Sequence, residues 1–192
     1  RQAGGAVRIS EFLAANDNGL ADEYGESSDW IEIENTGKGT VDLAEWFLSD
    51  DPANLQMWAF PAGTTLAAGG RLIVRASGRG IPAPKGELHA NFKVGSDKDG
   101  FLAIVQKDGA FGNYFFDYPK QRTDFSFGLN AEGQSAFFAS PTPGQSNAAS
   151  GLLGFVKDTK FSHNRGFFEQ PFLLAVTSGT PDAIIYCTTD GS

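Results

Sequence analysis

Five carboxylates crowd one short stretch of the chain: Asp17, Asp22, Glu23, Glu26 and Asp29. Hard oxygen donors of this kind, helped by loop carbonyls, are what Ca²⁺ takes, so Asp17, Asp22, Glu23 and Asp29 are candidate calcium ligands. The spacing is not that of an EF-hand loop. In the second acidic stretch, DKDG, Gly95 stands where the first Asp belongs and Gln106 where the closing Glu belongs. The plainer reading is an acidic loop in water, with calcium as the one metal to consider and no other cofactor expected. A pair of these carboxylates could also work as acid and base on a glycosidic bond, which needs two carboxyls facing across a cleft at a set separation.

The other reactive residue types are sparse. His89 and His163 are the only histidines, too few for a multi-histidine metal centre. A Ser/His/Asp triad is not excluded by count, but there is no G-x-S-x-G elbow to support one. His89, in LHANF, reads as an ordinary polar residue on a strand. Cys187 is alone, so no intrachain disulfide forms, and in AIIYCT it takes a position usual for a small apolar residue. GRGIPA (78–83) fits a dinucleotide fingerprint by letter, yet Pro82 and Pro84 deny the helix that must begin there. No catalytic residue is expected. Trp58, Tyr114 and Tyr118 are candidates for stacking on sugar rings, although alternation sends about half of such side chains into a core.

The elements that must position these residues read as strands. VRISEFLA (7–14) alternates with a period of two, as a half-buried strand does. The following ANDNGLADEYGESSD has no periodicity and reads as a long surface loop. WIEIEN places Ile31 and Ile33 on one face and Glu32 and Glu34 on the other, the pattern of a strand with one solvated side, so both glutamates are expected in solvent. EWFLSD, MWAFP, RLIVRA, FLAIVQ, GNYFFDYP and SAFFAS follow, separated by turn-rich stretches. KDG at 98–100 and 107–109 predicts two hairpin turns, because Asp-Gly takes positive φ readily. No stretch carries a helical period. About eight or nine strands with regular turns predict a sandwich or barrel, with Trp30 and Trp46 supplying large core surfaces.

Composition narrows the partners. The formal charge is -8, with no basic run, which opposes nucleic acid. No apolar run approaches the roughly 18 residues of a membrane span, and RQAGGAVR lacks the apolar centre of a secretory signal. SPTPGQSNAASG (140–151) has the composition of a connection. It divides the chain into 1–149 and a 150–192 remainder too short for an independent core.

The motifs occur in a familiar order. RISEFLA, the DWIEIEN strand, the WFLSD turn, FPAGTTL, FGLN and the closing SPTPGQSN together resemble the lamin-tail domain found in bacterial surface and secreted proteins, over about residues 6–149. That resemblance implies an all-β immunoglobulin-like sandwich without catalytic apparatus. From Gly166, GFFEQPFLLAVTSGTPDAIIYCTTDGS is similar to the start of the chitobiase and β-hexosaminidase C-terminal domain, with Cys187 after Tyr186 as a departure and less than half of such a domain covered. This predicts a partial second β module. The expected role is a non-catalytic accessory module of a larger secreted or cell-surface bacterial protein, a spacer or scaffold for neighbouring domains or a surface protein. A carbohydrate-binding module and a hydrolase using the acidic loop are the rivals.

Overall fold

The computed structural model describes residues 6–81, 86–97 and 99–188. Pro82 and Ala83 of the GRGIPA stretch, Pro84 after it and Lys98 of the first KDG lie outside the described residues, as do the last four residues of the C-terminal motif. The described chain is all-β, with no helix. It divides into two compact units, Arg1–Leu153 and Gly154–Ser192.

The first unit contains β1 (Val7–Leu13), β2 (Asp29–Asn35), β3 (Val41–Asp42), β4 (Phe47–Ser49), β5 (Trp58–Ala59), β6 (Thr65–Leu66), β7 (Arg71–Ala76), β8 (Leu88–His89), β9 (Gly100–Val105), β10 (Phe111–Tyr118), β11 (Ser126–Leu129) and β12 (Ser135–Phe138). They build a six-stranded sheet in the order β12-β11-β1-β2-β7-β8 and a four-stranded sheet in the order β10-β9-β4-β5, with β3 and β6 paired separately. The expected immunoglobulin-like sandwich is present, but with more strands than alternation revealed. β3, β5, β6 and β8 have two residues each, too short for a period of two to register.

The sheets meet through side chains of alternate residues. Leu48, Leu102, Ile104 and Phe115 point inward from the smaller sheet, and Phe115 meets Phe12 and Phe127 of the larger; Phe12 lies edge-on to Phe115 at 5.4 Å and to Phe127 at 5.7 Å. Ring pairs in this geometry add to the burial of apolar area. Trp30 has no exposed surface. Trp46 differs from expectation: it sits in the turn before β4 and is only partly buried. Asn113 joins the sheets as a polar rivet, accepting the Ile9 amide at 2.7 Å and donating to the Ile9 carbonyl at 2.9 Å.

One irregularity sets the rest. β1 carries a bulge between Ile9 and Glu11, so that Ile9 faces Ile33 and Glu11 faces Glu32. Strict alternation would have sent Glu11 inward with Ile9. The extra residue puts both Ser10 and Glu11 on the outer face. Gly128, opposite Glu11 on β11, makes room for it: a Cβ there would lie 2.2 Å from the Ser10 carbonyl oxygen. Of the two KDG stretches, 107–109 turns β9 into its partner β10, with Gly109 at φ 86°. The strands on either side of the other KDG, β8 and β9, belong to different sheets and are not a hairpin pair.

In the second unit β13 (Thr159–Phe161) pairs antiparallel with β14 (Val176–Ser178). Many of its large apolar side chains are exposed, Phe167, Leu173, Ile184 and Tyr186 among them. Cys187 is exposed as well.

Candidate functional site

The densest polar constellation lies on the outer face of the six-stranded sheet. Glu11 and Glu32 have no exposed surface. Glu32 accepts from Ser10 Oγ, from Arg71 and from the Gly144 amide at 2.7 Å. Glu11 accepts from Ser126 Oγ and from the Thr142 amide and hydroxyl, at 3.1 and 3.0 Å. Glu34 is clamped between Arg8 at 2.9 Å and Arg71 at 2.6 Å. Asn147 donates to the Ser10 and Leu129 carbonyls at 3.0 and 2.8 Å. Residues 140–147 are thus a strap, laid across β1, β2 and β11 and fastened by carboxylates beneath it. Burial pushes the Glu11 carboxyl up, and the Ser126 and Thr142 bonds work against that. The expectation that Glu32 and Glu34 face solvent is therefore corrected. WIEIEN gave the right face, but the strap, more than a hundred residues away, covers Glu32, and Arg8 and Arg71 close over Glu34.

Beside the strap a polar pit of about 170 Å³ is lined by Arg8, Ser10, Glu34, Arg71, Asn130 and Asn147 among others. Its charged groups already hold one another, and the two wholly buried carboxylates lie under the strap. Chemically the arrangement does what buried ion pairs and capped backbone amides do: it fixes register.

The acidic loop is built differently from a metal site. Asp22 is buried and accepts the Tyr24 and Glu26 amides, each at 2.9 Å, and Ser28 Oγ at 2.9 Å. Burial alone would raise its carboxyl, but the bonds from Glu26, Ser28 and Tyr24 outweigh it and hold the group below its ordinary value. Asp17 contributes its backbone, its amide donating to Asp124 at 2.8 Å. The Glu23 amide donates to Glu87 at 2.7 Å. Glu26 pairs with Arg79, which lies over the Tyr24 ring. Asp29 opens β2, and burial pushes it up to about 6. Among the described residues no three His, Cys, Asp or Glu side chains gather as a metal site. The four calcium candidates are thus not brought together, and the Asp22 carboxylate serves the loop itself.

His89, expected as an ordinary strand residue, is buried on β8 with Nδ1 2.8 Å from Ser77 Oγ and its ring edge-on to Tyr24. Beside it Arg75 pairs with Glu87 at 2.8 Å and donates to the Leu20 and Ala21 carbonyls, latching the acidic loop to β7. His163 belongs to the other unit.

The proposed stacking residues are corrected in part. Trp58 is buried and packs edge-on to Phe60 at 5.0 Å. Tyr118 is buried over Gly100, donates to the Gly95 carbonyl at 2.7 Å, and has its phenol pushed up by burial. Tyr114 is partly exposed on the outer face of the smaller sheet, tilted against Phe111. The sequence reading missed Phe116, 60% exposed two residues on; alternation with inward Phe115 was the available signal.

Fold and site together define an all-β sandwich of immunoglobulin type, strapped over its own buried carboxylates. The sequence model of the lamin tail domain matches residues 1–111, more than half of the chain, and the chain belongs to that family, one of non-catalytic modules. The folded unit extends past the match, since β10, β11 and β12 complete the sheets that β9 and β1 begin. A search of curated proteins found no match.

Proposed function

We propose that this chain is an accessory module of a larger secreted or cell-surface bacterial protein, acting as a spacer and a scaffold for protein partners. The observation that carries this reading is the use made of the carboxylates: Glu11, Glu32 and Asp22, the buried ones, all hold backbone amides or hydroxyls in place. A hydrolase needs two carboxyls facing an open cleft, whereas Glu11 and Glu32 are locked under the strap and Asp22 is taken up by the Tyr24 and Glu26 amides and Ser28. The sugar-binding rival needs a flat row of rings. Phe111 and Tyr114 are instead inclined by 59°, and Phe101 and Phe116 by 77°. The segment 166–192, read by resemblance as the start of a chitobiase-type C-terminal domain, fits a multi-module protein.

The test is functional and direct. The purified chain is assayed on chromogenic glycosides and by retention on insoluble chitin and cellulose. No turnover above buffer and no retention are expected. Turnover lost in the Asp22→Ala and Glu23→Ala variants, or retention on either polymer, would overturn the reading.

A further inference from the structure

The four-stranded sheet is apolar on both faces. β9 reads GFLAIV, a continuous apolar run of the kind found where a strand is covered on two sides. Leu102 and Ile104 serve the interior, while Phe101, Ala103 and Val105 form a second cluster on the outer face, joined by Phe47, Leu55, Phe111 and Tyr114. Phe116 continues that face at the sheet's end. The end is β10, the longest strand of the described residues, with no strand paired along its other edge. Along that edge runs a groove of about 340 Å³, walled by Tyr114, Phe115, Tyr118, Pro119, Phe127 and Ser135.

We propose that the free edge of β10 receives a short, extended, basic peptide segment as an added strand; the inference rests on the reading of the chain as a protein-binding module. Strand addition uses main-chain hydrogen bonds for affinity and alternate side chains for specificity. The bulges at Phe111/Asn113 and Phe116/Tyr118 bracket the regular part of β10, which limits the added strand to roughly four residues facing Asn113–Phe116; Asp117, at φ 53°, is the extra residue of the second bulge. Alternate apolar side chains of the segment enter the groove. Charge selects a basic partner over a second copy: the chain carries -8, and among the described residues Asp51, Asp108 and Asp117 around this sheet have no cation at ion-pair distance, whereas Lys107 and Lys120 lie beside Glu45 and Asp97. The inclined rings of the outer face suit aliphatic and aromatic side chains better than a flat sugar.

The experiment uses the ¹⁵N-labelled full chain and the capped peptide Lys-Val-Lys-Phe-Lys-Val. Its controls are the Glu-Val-Glu-Phe-Glu-Val analogue and a form N-methylated at alternate residues. The basic peptide is expected to shift the amides of Asn113–Phe116 and to protect from exchange those that point away from β9, to bind roughly fivefold more weakly to Asp117→Lys, and to lose binding when N-methylated or when Phe116 is replaced by Ser. Equal binding of the acidic analogue, retained binding of the methylated form, shifts confined to other strands, or a concentration-dependent dimer through β10 in sedimentation would each overturn the proposal. Such failure leaves the accessory-module reading standing if glycosides are not turned over and polymers do not retain the chain; turnover or retention sinks that reading whatever the peptide does.

Discussion

Glu32 shows what a single buried group does in this protein. Its partners are Ser10, Arg71 and the Gly144 amide, so Glu32→Ala would leave the strap amide without its acceptor and Arg71 with Glu34 as its one carboxylate. Leaving a buried amide unsatisfied costs about 1–3 kcal/mol, and urea unfolding should register a loss of that order. A loss indistinguishable from a surface substitution would mean that the strap is not fastened there. Asp29 gives a signature in pH. Its folded value, raised by burial from 3.8 to about 6, lies above the unfolded one, so the folded state binds the proton more tightly. Stability is therefore lost as pH rises from about 4 to 6. With allowance for its partial exposure, Asp29→Asn should gain about 1 kcal/mol at pH 7 and little at pH 4, measured by thermal melts across that range. At this scale the sequence was half legible. Alternation put Glu32 and Glu34 on the right face, but the cover came from Gly144 over Glu32 and from Arg8 and Arg71 over Glu34, and nothing in a local pattern reports partners that distant.

Among the elements, β1 and the acidic loop are the informative ones. The β1 bulge depends on Gly128, whose absent side chain admits the Ser10 carbonyl. Gly128→Ala should destabilise by about 1–3 kcal/mol through overpacking, and its calorimetric melt should fall accordingly. The loop depends on Asp22, which gathers two amides and a hydroxyl. Asp22→Ala should cost about 1–2 kcal/mol near neutral pH. Because the Asp22 value is depressed in the fold, its contribution should fade as pH falls toward and below its ordinary value of 3.8, the opposite sense to Asp29. A melt of Asp22→Ala that tracks the parent at pH 7 would show the loop to be held otherwise. The long strands were readable because six or more residues display a period of two. The bulge had one local signal, the consecutive polar Ser10 and Glu11 that break the period in VRISEFLA, while the loop's architecture was hidden because Asn16 and Asp22 build it from side chains rather than from a periodic backbone.

At the scale of the molecule, the ordered motifs named the family, and FGLN and SPTPGQSN now have physical meanings: Gly128 admits the bulge, and Thr142, Gly144 and Asn147 bind β1 and β2. The aromatic residues were misassigned as often as not. Trp58 and Tyr118 went to the core while Phe116 stayed out, because which face of a strand is covered is a property of the assembled sheets. Pulling the strap from its carboxylates should loosen the larger sheet as a whole. Native-state hydrogen exchange of the Thr142 and Gly144 amides tests this most directly. Both are expected to exchange at least about a hundredfold more slowly than an exposed loop amide, and to speed up together in Glu32→Ala. Exchange at open-loop rates in the unaltered protein would contradict the account, for it would leave Glu11 and Glu32 free for other work.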